Sequence, residues 1–146
     1  MEQEILKKVR LTQFEIAKEI CRVCEENDIR YFLAHGTFLG AVRHKGFIPW
    51  DLDIDIAMPR EDYERFKQVA KTQLRERFTY IDYENCRNHI RPHALVIRND
   101  TRIHFKYDSV NPKLHDLGVY IDIFPLDNAP DNEKLRKAQA KMLKNI

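Results

Sequence analysis

Residues 51 to 56 read Asp-Leu-Asp-Ile-Asp-Ile, a strict alternation of carboxylates and aliphatics. Period two is the period of a strand, so Asp51, Asp53 and Asp55 share one face while Leu52, Ile54 and Ile56 share the other. The aliphatic face has to be buried, which excludes a free loop. The acidic face sets like charges about 6.6 Å apart, on a residue type that strands disfavour. An outward acidic face on an edge strand is one way to tolerate this. A bound hard cation is the other: Mg²⁺ takes oxygen ligands at about 2.0–2.1 Å and shares its sphere with waters and phosphates. Two such ions about 3.5–4 Å apart can clamp the attacking and leaving oxygens of a phosphoryl displacement. Three alternating acids beside a Gly-Thr turn favour the cation.

A second carboxylate sits inside Val119-Tyr120-Ile121-Asp122-Ile123-Phe124-Pro125. A lone Asp in an apolar strand is costly to bury unless an Arg, backbone donors or a cation compensates it. Placed beside Asp53 and Asp55, Asp122 would complete a three-carboxylate metal site. Asp127 lies beyond Pro125 and reads as a loop residue. The Gly36-Thr37 pair follows a predicted buried strand, and such a junction can offer backbone N–H groups and a hydroxyl to a phosphate. Arg43, His44 and Lys45 follow closely and could neutralise a diphosphate, or could form a solvated basic turn.

The rest of the chain frames these segments. Apolar residues from Leu6 to Cys24 recur at three- and four-residue intervals, which predicts a helix over residues 4–26. Residues 29–34 predict a buried strand and 38–43 a short helix. Pro59 opens a helix whose first turn carries Glu61 and Asp62, where carboxylates favour the dipole. Further strands are predicted at 78–83, 93–97, 103–107 and 119–124, and a last helix after Asn132. This is the order of a single α+β domain, residues 1–146, with a mixed β-sheet flanked by helices.

Composition narrows the function classes. With 25 basic against 23 acidic residues the net charge is +2, so no global basic field points to nucleic acid. No apolar run approaches the roughly 18 residues of a membrane span, and no signal peptide is visible at the N-terminus. Three cysteines, an odd number, point to a reducing compartment and a cytoplasmic protein, with the inner face of the membrane as a further expectation. Cys21-x-x-Cys24 falls on the apolar stripe of the first helix with no second such pair, so core cysteines are expected rather than zinc ligands. His89 and His93 flank Pro92 and make a poor helical pair.

The run His35-Gly36-Thr37-Phe38-Leu39-Gly40-Ala41-Val42-Arg43-His44-Lys45-Gly46-Phe47-Ile48-Pro49-Trp50-Asp51 through Asp55 resembles the signature of the LicD family, and Gly118 through Asp127 resembles its second block. The family includes bacterial phosphocholine transferases and is similar to the fukutin-related ribitol-phosphate transferases. The resemblance implies a nucleotidyltransferase-like fold. Gly36 and Thr37 would hold the donor phosphates with Arg43 and His44 nearby. Asp53 and Asp55 would be catalytic and bind Mg²⁺ or Mn²⁺, with Asp122 as third carboxylate and proton acceptor. Asp51 extends the metal set. The implied donor is CDP-choline or a related CDP-alcohol. The acceptor is a sugar hydroxyl of a glycan or glycolipid precursor of lipopolysaccharide or teichoic acid type, and CMP leaves. A nucleotidyltransferase acting on another acceptor, or an inactive metal- or nucleotide-binding domain, would use the same fold.

Three departures from the family pattern stand out. Leu52 occupies a position usually held by Asp and is expected to face the core. His35 replaces a small residue before the Gly-Thr turn. Family domains also continue beyond the position of Ile146, which implies a domain incomplete at its C-terminus. Trp50 could stack on a base but is expected to pack beside the acidic strand, while Asn88, Arg91 and Arg98 border the strands facing the site and could contact a phosphate or acceptor, with solvent exposure the expectation for each. Lys134, Arg136, Lys137, Lys141 and Lys144 give the last helix a solvated basic face.

Overall fold

The computed structural model describes residues 2–87, 89, 91–102 and 117–143. Helix α1 spans Glu2–Glu26, strand β1 Phe32–Leu33, helix α2 His35–His44, strand β2 Asp55–Pro59 and helix α3 Arg60–Gln73. Strands β3 (Phe78–Ile81), β4 (Ala94–Arg98) and β5 (Tyr120–Leu126) follow, then helix α4 (Glu133–Leu143). The five strands form one sheet in the order β1-β2-β5-β4-β3. Only β2 and β5 run parallel; the other pairs are antiparallel. The architecture is therefore α+β with a mixed sheet, as the element order implies. The 103–107 strand and Asn88 lie outside the described residues.

One sheet face is sealed by helices. Ile54, Ile56 and Met58 from the β2 region meet Ile121 and Ile123 of β5, with Ala94 and Val96 of β4. Ile16, Ile20, Val23 and Cys24 of α1 and Tyr63, Phe66 and Ala70 of α3 close over them. Truncating a fully buried aliphatic such as Ile121 to Ala would cost about 2–5 kcal/mol. This one-sided cover dictates which side chains emerge opposite. In β2 and β5 the residues that alternate with the core aliphatics are Asp55, Ala57, Asp122 and Phe124.

Several expectations need correction. β1 is a two-residue edge strand with Phe32 53% and Leu33 43% exposed, not a buried strand. Helix α2 begins at His35, so Gly36 and Thr37 form its first turn instead of preceding it. The acidic strand starts only at Asp55, and residues 51–54 run without a ladder. Without a partner strand the alternation loses its hold: Leu52 is 55% exposed instead of facing the core, and Trp50 is 78% exposed instead of packed. The α1 stripe is rotated as well. Gln13, Ile16, Ile20 and Val23 are buried, whereas Phe14 is 51% exposed. Helix α4 starts where Asn132 Oδ1 accepts the N–H groups of Lys134 and Leu135 at 3.0 and 3.2 Å, an N-cap.

Candidate metal and phosphate site

The parallel register pairs Asp55 with Asp122 and Ile56 with Ile123. Burying both isoleucines on the helical side forces both carboxylates onto the opposite face, one strand spacing apart, where Asp55 and Asp122 stay buried, 8% and 5% exposed. Asp53, just before the strand, joins them. Asp53, Asp55 and Asp122 each bring a carboxylate oxygen within 4.8 Å of the others. Three acceptor-only groups this close repel one another, and the charge shows in their protonation. Partial burial, the Asp55 charge and a hydrogen bond with Asp51 push the Asp53 carboxyl up to about 6. Burial and the Asp122 charge raise Asp55 as well, against the pull of His35. An all-oxygen set of crowded carboxylates is the donor chemistry that hard divalent cations select, so these residues fit Mg²⁺ or Mn²⁺.

The first turn of α2 is built against the same acids. The Thr37 hydroxyl oxygen accepts the Asp55 N–H at 2.8 Å, and the Ala34 N–H donates to the Asp55 carbonyl at 3.0 Å. Asp51 lies on the other side of this turn: a Cβ built on Gly36 would meet its Oδ2 at 2.2 Å. Gly36 thus leaves room for the Asp51 carboxylate at the helix start, and a residue with a Cβ would have to displace it. Asp51 itself stands one step outside the trio, close enough to Asp53 to help raise its carboxyl. His35 adopts a left-handed φ of 44° at the helix start, and its Nδ1 stands 3.4 Å from Asp55 Oδ2. A non-glycine residue held there is strained backbone at the site. Arg43 and His44 occupy the last turn of α2, about 10 Å along the axis from Thr37. His44 faces Trp50 edge-on at 6.3 Å.

Asp122 has its own partners. His93 Nε2 lies 2.8 Å and Arg91 Nη1 3.2 Å from Asp122 Oδ1, while Arg91 Nη2 donates to the Tyr120 hydroxyl at 3.2 Å. Arg91 is thus a partner of the acid rather than a solvent residue. The two rings His35 and His93 also flank Phe124, at 4.7 and 4.3 Å. The loop that delivers Arg91 and His93 is pinned by buried His89, whose Nε2 sits 2.6 Å from the His93 carbonyl. The histidine pair thus serves loop geometry and Asp122. Asp127 is drawn away by Arg60, which forks onto it at 2.7 and 2.8 Å. Arg98 pairs with Asp100 and Glu15 at the surface.

In the sequence Arg91 is read as bordering the strands that face the site but not as a partner of Asp122; the roles of His93, Arg10 and Gln13 escape that reading. Arg91 and His93 stand at alternate positions leading into β4, where Leu95 pairs with Asp122. Period two across that pairing was their signal. Arg10 and Gln13 of α1 hold the segment that carries Asp51 and Asp53: Arg10 Nη2 meets the carbonyls of Ile48, Pro49 and Asp51 at 2.9 Å each. Gln13 Nε2 donates to Leu52 O at 2.9 Å. Their signal was a polar residue, Gln13, at a core position of the helical stripe.

Comparison with known proteins shows the family of the chain. The sequence model described as LicD/FKTN/FKRP, nucleotidyltransferase domain, matches residues 28–142. Lipopolysaccharide cholinephosphotransferase LicD of Haemophilus influenzae is 32% identical over 136 residues, covering 92% of this chain and 49% of that protein. An uncharacterized Rickettsia prowazekii protein, RP689, is 31% identical over 117 residues, covering 69% of this chain and 44% of its own. Human ribitol 5-phosphate transferase FKRP is 40% identical over 55 residues, 38% of this chain and 11% of that protein. The chain spans about half the length, or less, of these curated relatives.

Proposed function

The chain belongs to the LicD/FKTN/FKRP nucleotidyltransferase family, and on that premise we propose that it transfers a phospho-alcohol from a CDP-linked donor to a sugar hydroxyl of a glycan precursor. Phosphocholine is the first choice of group, because the relative aligned along 92% of this chain is named a cholinephosphotransferase. The observation that carries the reading is the convergence of Asp53, Asp55 and Asp122 within 4.8 Å beside the first turn of α2.

In this reading the acceptor oxygen attacks the phosphorus that bears the alcohol. The bond from that phosphorus to the CMP oxygen breaks, CMP leaves, and the hydroxyl proton passes to a carboxylate. Asp53, Asp55 and Asp122 would hold Mg²⁺ or Mn²⁺, with Asp51 behind Asp53. A divalent cation there supplies Lewis-acid stabilisation of charge on the phosphoryl oxygens. The lone pair of Thr37 is engaged by the Asp55 N–H, so its hydroxyl proton remains to donate to a donor phosphate. The free N–H groups of the first turn of α2, Gly36 among them, favour the same anion. Arg43 and His44, at the far end of α2, fit the outer part of the donor better than its phosphates. Asp122 is the proton acceptor: Arg91 and His93 on Oδ1 hold and orient its carboxylate. No helix among the described residues is long and apolar enough to cross a membrane.

The test is CMP release from CDP-choline with Mg²⁺ or Mn²⁺ and a crude glycan acceptor, with Asp53→Asn as control. Metal-dependent CMP release, lost in Asp53→Asn, is the expected result. Pyrophosphate release from CTP instead would assign a nucleotidyltransferase. Mn²⁺ binding by a folded chain without turnover of either donor would overturn the transferase reading in favour of a binding domain.

A further inference from the structure

We infer that Arg10 and Gln13 of α1 are positioning residues for the metal site, setting the place of the Asp51–Asp53 arm relative to the paired strands. The inference rests on the reading that the carboxylate trio holds a divalent cation. Asp55 and Asp122 are fixed by the β2–β5 ladder, but Asp53 lies in a segment that no strand pairs. At one end Ile54 is buried in the core and its carbonyl accepts the Asp122 N–H at 3.2 Å, and at the other the Asp51 N–H donates to Ile48 O at 3.0 Å. Something further has to hold Leu52 and Asp53 between them.

Helix α1 does so from two adjacent positions on one face. The Arg10 guanidinium stacks on Phe47, 4.9 Å from the ring centroid, and meets the carbonyls of Ile48, Pro49 and Asp51. All three contacts fall on Nη2, whose two N–H bonds are shared among the three carbonyls of this turn. Gln13, 4% exposed, donates from Nε2 to Leu52 O at 2.9 Å and approaches Tyr120 O at 3.5 Å. Leu52 precedes Asp53 and Tyr120 lies two residues before Asp122. One amide group thus ties both acid-bearing segments together.

The arrangement carries a cost that packing alone does not explain. Arg10 Nε and Gln13 Oε1 are buried without a hydrogen-bond partner among the described residues. Such atoms are rare in native proteins and call for a reason; aliphatic side chains would fill the same helical stripe without them. The reason is the position of Asp53. Both residues also precede the stretch matched by the family model, residues 28–142, so the site extends into a helix outside it.

Mn²⁺ titration followed by electron paramagnetic resonance tests this directly. Arg10→Leu and Gln13→Leu should each weaken Mn²⁺ about 10- to 100-fold, the usual effect of removing groups that orient ligands. Arg10→Lys, which keeps a cation among the carbonyls, should recover much of the affinity. Ile20→Val, in the buried stripe of the same helix, should lower the melting temperature without moving Mn²⁺ affinity; it separates positioning from stability. The inference is overturned if folded Arg10→Leu and Gln13→Leu bind Mn²⁺ like the parent chain, or if Ile20→Val weakens it equally. Should Arg10→Leu fail to fold, Arg10→Lys and Gln13→Leu decide the matter by the same affinities. Absence of Mn²⁺ binding in the parent chain, unchanged by Asp53→Asn, would remove the metal reading and the inference with it.

Discussion

Removing the charge of Asp53 should make the metal-free protein more stable. Its carboxyl is lifted from 3.8 to about 6, first by partial burial and then by the charges of Asp55, Asp51 and Asp122. A lift of this size corresponds to at most about 3 kcal/mol. The carboxylate still reaches solvent on its open side, and screening reduces the figure to about 1 kcal/mol. The sign follows from proton linkage. Between pH 3.8 and about 6 the folded chain keeps a proton that the unfolded chain releases, so stability falls as pH rises through that window and stays low above it. Asp53→Asn removes the penalty and keeps a side chain able to hydrogen-bond Asp51. With chelator at pH 7.5, calorimetry should show a melting temperature higher by about 3 °C. Below pH 4 the gain should nearly vanish. Added Mn²⁺ should stabilise the parent chain and leave Asp53→Asn unmoved, because a ligand stabilises only the state that binds it. A variant that melts below the parent at pH 7.5, or by the same margin at pH 4 and pH 7.5, would refute like-charge crowding as the cause.

Other perturbations separate neighbouring roles. Gly36→Ala places a Cβ 2.2 Å from Asp51 Oδ2; thermal melts should show a loss of about 1–3 kcal/mol, with weakened Mn²⁺ binding, and an unchanged melt would mean that Asp51 steps aside freely. Asp127→Asn breaks an exposed fork with Arg60, so stability should change by under about 1 kcal/mol; a loss of Mn²⁺ affinity would bring Asp127 back into the site. Burial pushes the Cys24 thiol up to about 12, so it should resist thiol reagents at pH 8 in the folded chain, while half-buried Cys21 reacts; equal labelling rates followed by mass spectrometry would contradict the packing described for α1.

Much of this molecule is legible from residue order. The period of α3 and its start after Pro59 follow from the apolar stripe Tyr63, Phe66 and Ala70 and the acids of the first turn. Strand β5 is written in the alternation of Ile121 and Ile123 with Asp122. The candidate acids are named by their cost: no soluble sheet keeps such groups together without compensation. The errors over Leu52 and Trp50 share one physical source. The alternation from Asp51 to Ile54 has strand period but no partner strand, and period two fixes orientation only where a ladder enforces it. Leu52 and Trp50 are exposed for that reason.

Residue order by itself determined the chemistry available: three carboxylates spaced to crowd, a fourth within an apolar strand, and a glycine-threonine turn. Tertiary structure decided which of them meet. Asp55 and Asp122 converge because burying Ile56 and Ile123 selects one parallel register between segments distant in sequence. Asp53 joins them because α1, far away along the chain, holds its segment through Arg10 and Gln13. Arg91 and His93 reach Asp122 because β4 pairs with β5. Local pattern limits what each segment can become, but non-local burial and hydrogen bonding choose the partners, and the carboxylate cluster is made of partners.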